Sequence, residues 1–310
     1  MKNKLVLTGV ISKKWGCVLP DDVEKIKLMK NMFQGGIRIL CRPTSNPELK
    51  IKAEKIIPDV EILAGDFDDK NFMESALSEA DTVLHVAGIY NTEKILEAAL
   101  KNHVRRLILV HTTGIYSKYK SAGENYRKID EIVINKSKEN NIILTILRPT
   151  MIYGNIKDGN ISVFVKMVDK LPLMPVVSGG NFNLQPVLYK DLTKAYFEVL
   201  THEKETANKN YILSGGEIIS LRDLLTVIAE NLGKKIKFLS IPFFIAYSLA
   251  WILYLMTFTK KDYRERVQRL CEPRVYPHDE ASKDFGYNPV KFREGIIDEV
   301  NEYKCLKKFQ

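Results

Sequence analysis

DTVLHVAGIYNTEKILEAALKNHVRRLILVHTTGIY, residues 81–116, decides the fold. Thr82–Val86 is a short apolar run that ends at Ala87-Gly88, and Arg106–Val110 is a second such run. Between them Ile95, Leu96, Ala99 and Leu100 recur at the spacing that lines one face of a helix. Runs of about five apolar residues without polar alternation are the pattern of strands covered on both faces. Strand, helix and strand in that order form a right-handed crossover between parallel neighbours.

The same unit repeats on either side. Lys4–Gly9 (KLVLTG), Ile37–Cys41, Val60–Leu63 and Ile142–Leu147 read as further buried strands. Val23, Ile26, Met29 and Phe33, and then Ile129, Val133 and Ile134, have helical spacing. The pattern predicts an α/β fold, a Rossmann-like doubly wound parallel sheet whose ligand lies at the carboxyl ends of the strands where their order reverses. After Gly154 the rhythm loosens at Pro172, Pro175, Gly179-Gly180 and Pro186, with helical patterns over 191–200 and 221–232. Residues 1–154 are therefore expected to form the dinucleotide-binding core. Residues 155–310 are expected to form mostly a smaller C-terminal substrate lobe, with some segments returning to the core.

Composition limits the function classes. The chain has 310 residues, 45% of them hydrophobic, ample for a packed interior. Its 47 basic and 38 acidic residues leave a formal charge of +9. The charges are interspersed and no block reaches the five or six that mark a nucleic-acid arm, so no nucleic-acid partner is expected. Cys17, Cys41, Cys271 and Cys305 are too dispersed for CxxC pairs and too few for a disulfide framework. The N-terminal MKNKLVLTGV lacks the apolar stretch of a signal peptide, and a cytoplasmic protein is expected. His85 and His111 have no histidine or cysteine at ligand spacing, so no metal site is expected.

The first strand-to-helix turn reads TGVISKKWG, residues 8–16. In a dinucleotide-binding turn, glycines let the backbone approach a pyrophosphate and let the helix pack on the strand. With Gly9 as the first glycine, Ser12 holds the second slot and Trp15 the third. Asp21 and Asp22 stand near the start of the next helix, where a phosphate would otherwise sit.

Eight segments in one order nevertheless resemble the extended short-chain dehydrogenase/reductases, the NAD-dependent epimerase/dehydratase family. They are LVLTG (5–9), RILCRPTSN (38–46), GDFDD (65–69), DTVLHVAG (81–88), RLILVHTTGIY (106–116), ILRPTMIYG (146–154), QPVLYKDLTKA (185–195) and DEASKDFGYNP (279–289). The resemblance spans nearly the whole chain and implies a nicotinamide dinucleotide held by Thr8, Gly9, Ser12, Asp66, Ala87, Gly88 and Pro149. Arg42 ends the second strand where an acidic residue would select NAD and an arginine would accept a 2′-phosphate, and Thr44 and Ser45 add donors. NADP is thus expected to be preferred, with NAD as the alternative.

The family's chemistry implies a tyrosine that exchanges a proton with substrate, a Ser or Thr that hydrogen-bonds it, and a lysine four residues after the tyrosine. Thr112 matches the Ser/Thr slot and Tyr126 the tyrosine slot. Position 130 is aspartate, and a carboxylate one turn from the phenol is expected to disfavour phenolate. A literal Tyr-x-x-x-Lys at Tyr116–Lys120 directly follows a strand instead of opening a helix, and reads as chance.

Ile241–Thr259 (IPFFIAYSLAWILYLMTFT) carries no charge over 19 residues and is bracketed by Lys234-Lys235 and Lys260-Lys261. A buried helix is the economical reading; a helix on a membrane surface or lining an apolar channel is the alternative, with peripheral membrane contact through 241–259. A span would separate the last fifty residues from the sheet. The resemblance implies an NAD(P)-dependent oxidoreductase or epimerase acting on a small molecule, either a nucleotide sugar or a lipophilic hydroxyl or carbonyl compound. The alternative is a non-catalytic dinucleotide-sensing protein similar to NmrA-like members, favoured by the missing lysine and the altered glycine turn.

Overall fold

The computed structural model describes residues 3–20, 22–119, 121–257 and 262–308. Asp21, Lys120 and residues 258–261, all singled out in the sequence, lie outside these.

Seven strands form one parallel sheet: β1 Lys4–Thr8, β2 Ile37–Cys41, β3 Glu61–Ala64, β4 Ala80–His85, β5 Arg106–Val110, β6 Ile143–Pro149 and β7 Lys209–Leu213. Their order is β7-β6-β5-β4-β1-β2-β3. The chain winds outward from β1 in one direction and then, from β4, in the other, so a crevice opens at the carboxyl ends of β1 and β4. Both faces are covered, and alternate residues of each strand serve alternate faces. Leu5 and Leu7 of β1 pack with Ile26 and Met29, while Val6 packs on the opposite side with Met73 and Leu96.

The helices between the strands start where their caps dictate. Asp22 accepts backbone N–H bonds at the start of α1 (Val23–Met32), Asn46 with Pro47 opens α2 (Pro47–Ile56), and Asp69 caps α3 (Lys70–Ala76). α4 is Thr92–Lys101 and α5 is Gly123–Glu139. The seventh strand was not legible in the sequence: its Lys209 and Asn210 are polar and exposed at the sheet edge, leaving only a three-residue apolar run. Arg106, fully buried at the start of β5, donates to the Leu200 and Val199 carbonyls and to Thr206 Oγ1, tying this returning segment to the sheet.

A separate apolar core joins the helices Ile161–Lys170, Leu221–Leu232 and Phe292–Lys307 around Tyr153, Leu224, Phe292 and Val300. Inside it lie two buried carboxyl groups, Asp158 and Glu299. Glu299 Oε2 accepts from the Gly154 N–H (2.9 Å), whereas Glu299 Oε1 and Asp158 Oδ2 have no donor among the described residues. A proton held on Glu299 would give both oxygens a partner. Burial, and then the Asp158 charge, push Glu299 up to about 9.

The sign follows from linkage: the native chain keeps a proton that the unfolded chain releases near 4.5. The stability held by Glu299 is thus full below that value and is lost as pH rises towards about 9. Glu299→Gln, which can accept from Gly154 and donate to Asp158, should be more stable than the parent at pH 8, on the order of 2 kcal/mol, with the gap closing near pH 4. Denaturant unfolding at both pH values checks this, and a variant less stable at pH 8 would contradict it.

The apolar segment corrects an expectation. It forms a helix, Phe243–Met256, but only Ala250 in it is buried. The buried-helix reading fails because its neighbouring helix, Arg264–Leu270, is too short to cover more than one side. Among the described residues no helix is long and apolar enough to cross a membrane.

Candidate active site

A cleft of about 910 Å³ opens at the crevice predicted by the strand order. Its floor is set by Gly9, which follows β1 with φ of 79°. A Cβ there would lie 2.3 Å from the backbone nitrogen of Ala87 and 2.5 Å from its Cα. The close approach of the two strand ends therefore depends on a bare backbone at Gly9.

Gly9, Ser12, Arg42, Asp66, Ala87, Gly88 and Pro149 all line this cleft. Thr8 does not: it is buried beneath the floor, and its hydroxyl donates to His85 Nδ1 at 2.5 Å. His85 Nε2–H donates to the Gly88 carbonyl (3.1 Å). Burial pushes the imidazole down to about 4, so it is neutral, and the carbonyl partner fixes the proton on Nε2. Thr8 thus shapes the loop after β4 from below instead of facing a ligand.

The turn after β1 differs from the alignment drawn on the sequence. Ile11–Ser12 and Gly16–Cys17 pair as a small antiparallel hairpin, and α1 starts only at Val23. Ser12 Oγ accepts from the Lys14 and Trp15 N–H groups, closing the hairpin tip. Trp15 stacks on Tyr189 with centroids 5.7 Å apart. Ser12 and Trp15 are therefore not eroded glycine slots; they hold a different loop. The α1 N-terminus is occupied by the Asp22 carboxylate, which accepts from Glu24 and Lys25. What the hairpin presents to the cleft instead is Lys13 and Lys14.

Thr112 and Tyr126 line a second cavity of about 300 Å³, which shares Lys14, Trp15 and Ile152 with the cleft. Thr112 Oγ1 accepts from the Gly114 N–H and opens the 3₁₀ turn Thr113–Tyr116 after β5. Tyr126 stands in the first turn of α5, packed on Tyr90. The two side chains converge: a Cβ at Gly114 would sit 3.2 Å from both Thr112 Oγ1 and Tyr126 Cε2. Burial, followed by the hydrogen bond with Tyr90, pushes the Tyr126 phenol up to about 12.

Asp130 contributes to that site in a way the sequence did not reveal. Its carboxylate is buried, accepting from His111 Nδ1–H (2.6 Å) and pairing with Arg148 Nη2 at 2.6 Å. Burial alone would raise it, but His111 and Arg148 hold it below the usual carboxylate range. His111 Nε2 in turn accepts from the Thr92 hydroxyl (3.1 Å). Asp130 is thus neutralised within a chain joining α4, α5, β6 and the residue after β5, and the Tyr126 phenol is raised by burial and by Tyr90, not by Asp130. A lysine at 130 would place a cation against Arg148.

The second cavity also holds Arg269 and Arg274, which sequence reasoning missed because they come from the least regular part of the chain. Both have a buried Nε without a hydrogen-bond partner among the described residues. Burial, then repulsion from Arg269, pulls Arg274 down to about 10, so it remains a cation at neutral pH. Among the described residues no cluster of three potential metal ligands occurs.

The model of the NmrA-like family matches residues 28–269. The chain is 21% identical to a 2-alkyl-3-oxoalkanoate reductase of Stenotrophomonas maltophilia, over 87% of this chain and 93% of that one. It is 22% identical to the mitochondrial NADH dehydrogenase [ubiquinone] 1 alpha subcomplex subunit 9 of Arabidopsis thaliana over 74% of its own length, and spans about half of that relative. Its fold is similar to that of a dTDP-glucose 4,6-dehydratase from Streptomyces venezuelae solved with NAD bound, with TM-score 0.71, 16% identity and coverage of 99% of this chain and 98% of that chain.

Proposed function

We propose that this chain, which belongs to the NmrA-like family, is an NADP(H)-dependent reductase of a carbonyl compound carrying an anionic group. Its architecture is that of the extended short-chain dehydrogenase/reductases. The observation that carries the reading is the pair of adjoining cavities, one with Gly9, Arg42 and Asp66, the other with Thr112 and Tyr126.

The residues present fit a dinucleotide: the cleft is long enough to run from Asp66 and Arg42 to Pro149, and Gly9 leaves its floor bare. Arg42 with Thr44 and Ser45 would hold a 2′-phosphate, Asp66 the adenine end, and Lys13 and Lys14 the pyrophosphate that the capped α1 N-terminus leaves without a partner. The cofactor supplies the hydride; the chain's own groups orient the acceptor and move the proton. Thr112 would hydrogen-bond the substrate oxygen and Tyr126, a neutral phenol, would donate to it. Arg269 and Arg274, which line the same cavity, would clamp a carboxylate or phosphate. Such a substrate has the chemistry named for the Stenotrophomonas relative, a 3-oxo acid.

A second reading, a dinucleotide sensor without turnover, is favoured by one observation: Asp130, in the lysine slot, is committed to His111 and Arg148. Titration of the fluorescence of Trp15, which lines both cavities, with NADPH and NADH tests the cofactor reading. NADPH should bind more tightly, and Arg42→Ala should lose about one to two decades of NADPH affinity with NADH unchanged. Equal losses, or tighter NADH binding in the parent, would refute the preference. NADPH binding without turnover of any 3-oxo acid would favour the sensor.

A further inference from the structure

The helix Phe243–Met256 has no charged residue and nearly no buried one. Phe244 is 69% exposed, Leu255 59% and Met256 73%. A stripe of scattered leucines is ordinary on a protein surface, but a helix apolar on every side and uncovered is not. Leu239, on the strand Phe238–Ile241 that leads into it, extends the same surface.

Charge selects the occupant. Residues 231–261 contain five lysines and no aspartate or glutamate. Lys235 and Lys237 are exposed just before the helix and Arg266 after it, while Lys234 pairs with Asp169 and Arg264 with Asp262. A second copy laid on this face would bring cations against cations. An anionic lipid surface meets both the apolar helix and the basic rim. Tyr247, Trp251 and Tyr254 supply the aromatic residues that favour the headgroup boundary, with the Arg264 guanidinium 4.5 Å over Trp251 and 4.0 Å over Tyr254. At about 21 Å, fourteen residues fall short of the roughly 30 Å hydrocarbon core, so the helix fits in the plane of the surface rather than across it.

We propose that this face docks the protein on an anionic membrane surface. The short helix Arg264–Leu270 that supports it also carries Arg269 to the smaller cavity, so docking sets that cavity close to the lipid. The proposal stands on the exposed helix and its basic flank and does not depend on the reductase reading.

Co-sedimentation of the full chain with vesicles of phosphatidylcholine, and of phosphatidylcholine mixed with phosphatidylglycerol, tests it. Binding should be at least about tenfold tighter to the mixed vesicles. Leu249→Glu with Leu255→Glu should abolish it while leaving the unfolding midpoint and NADPH binding as in the parent, since both side chains are exposed. Lys235→Glu with Lys237→Glu should remove the preference for the anionic lipid. Absence of binding to both vesicles overturns the proposal. So does binding that neither pair of changes weakens, or a dimer in sedimentation velocity that the leucine changes dissolve.

Discussion

Tyr126→Phe is expected to lower turnover of a 3-oxo acid about 10²- to 10⁴-fold while leaving NADPH affinity as it was, the range typical of a general acid. The side chain lines the smaller cavity with Thr112, outside the large cleft, so the loss should fall on kcat and not on cofactor binding. The direction of reaction follows from its pKa. A phenol pushed up to about 12 by burial and by Tyr90 remains a donor throughout the neutral range. Reduction is therefore favoured, and its rate should not fall through deprotonation of this group between pH 6 and 9. Oxidation, which needs the phenolate, should rise steadily over the same interval. Steady-state rates of the parent and the variant in both directions check this. Unimpaired turnover in Tyr126→Phe would remove it from the mechanism and make Tyr116, exposed at the end of the turn after β5, the next residue to change.

Gly9→Ala should have the largest effect on the cleft: loss of detectable NADPH binding, with destabilisation of about 3 kcal/mol or more. Two costs combine. The left-handed φ of 79° disfavours any side chain, by about 1 kcal/mol, and the new Cβ would press into the Ala87 backbone at 2.3 Å. Backbone on both sides cannot rotate away, so β1 and β4 must separate at the cleft floor. Gly233→Ala supplies the comparison. It has φ of 73° at a helix C-cap with nothing within 4 Å of its Cβ, and should cost only the conformational part, about 1 kcal/mol. Thermal unfolding of both variants with NADPH titration separates the contributions; equal destabilisation would mean that the Ala87 contact is relieved cheaply.

How far the sequence was legible depends on the range of the forces involved. The first six sheet strands were read within about two residues at either end because a strand buried on both faces must be apolar throughout, a local property of five or six residues. α2 and α3 have weaker apolar stripes, and their caps, Asn46-Pro47 and Asp69, were the available signals. The cleft-lining residues were found because they sit at strand ends, where the topology itself places a ligand. The turn after β1 was misread because a fixed glycine spacing was imposed on a loop that Ser12 and Trp15 fold into a hairpin.

By itself the sequence determined a doubly wound parallel sheet, its first six strands, and the strand ends that carry Gly9, Arg42, Ala87 and Thr112. These depend on periodicity and on the handedness of a crossover, both set within one strand–helix–strand unit. Only the tertiary structure decided what depends on partners distant in the chain. It directed Asp130 to His111 and Arg148 and not to the phenol, and set the buried Glu299 beside Asp158. It brought Arg269 and Arg274 to a cavity whose other wall is Tyr126, and left the apolar helix after Pro242 uncovered. A carboxylate's charge state and an apolar helix's burial are set by what packs against them, and those neighbours lie 18 to 145 residues away along the chain or, for the helix, are absent from the described fold.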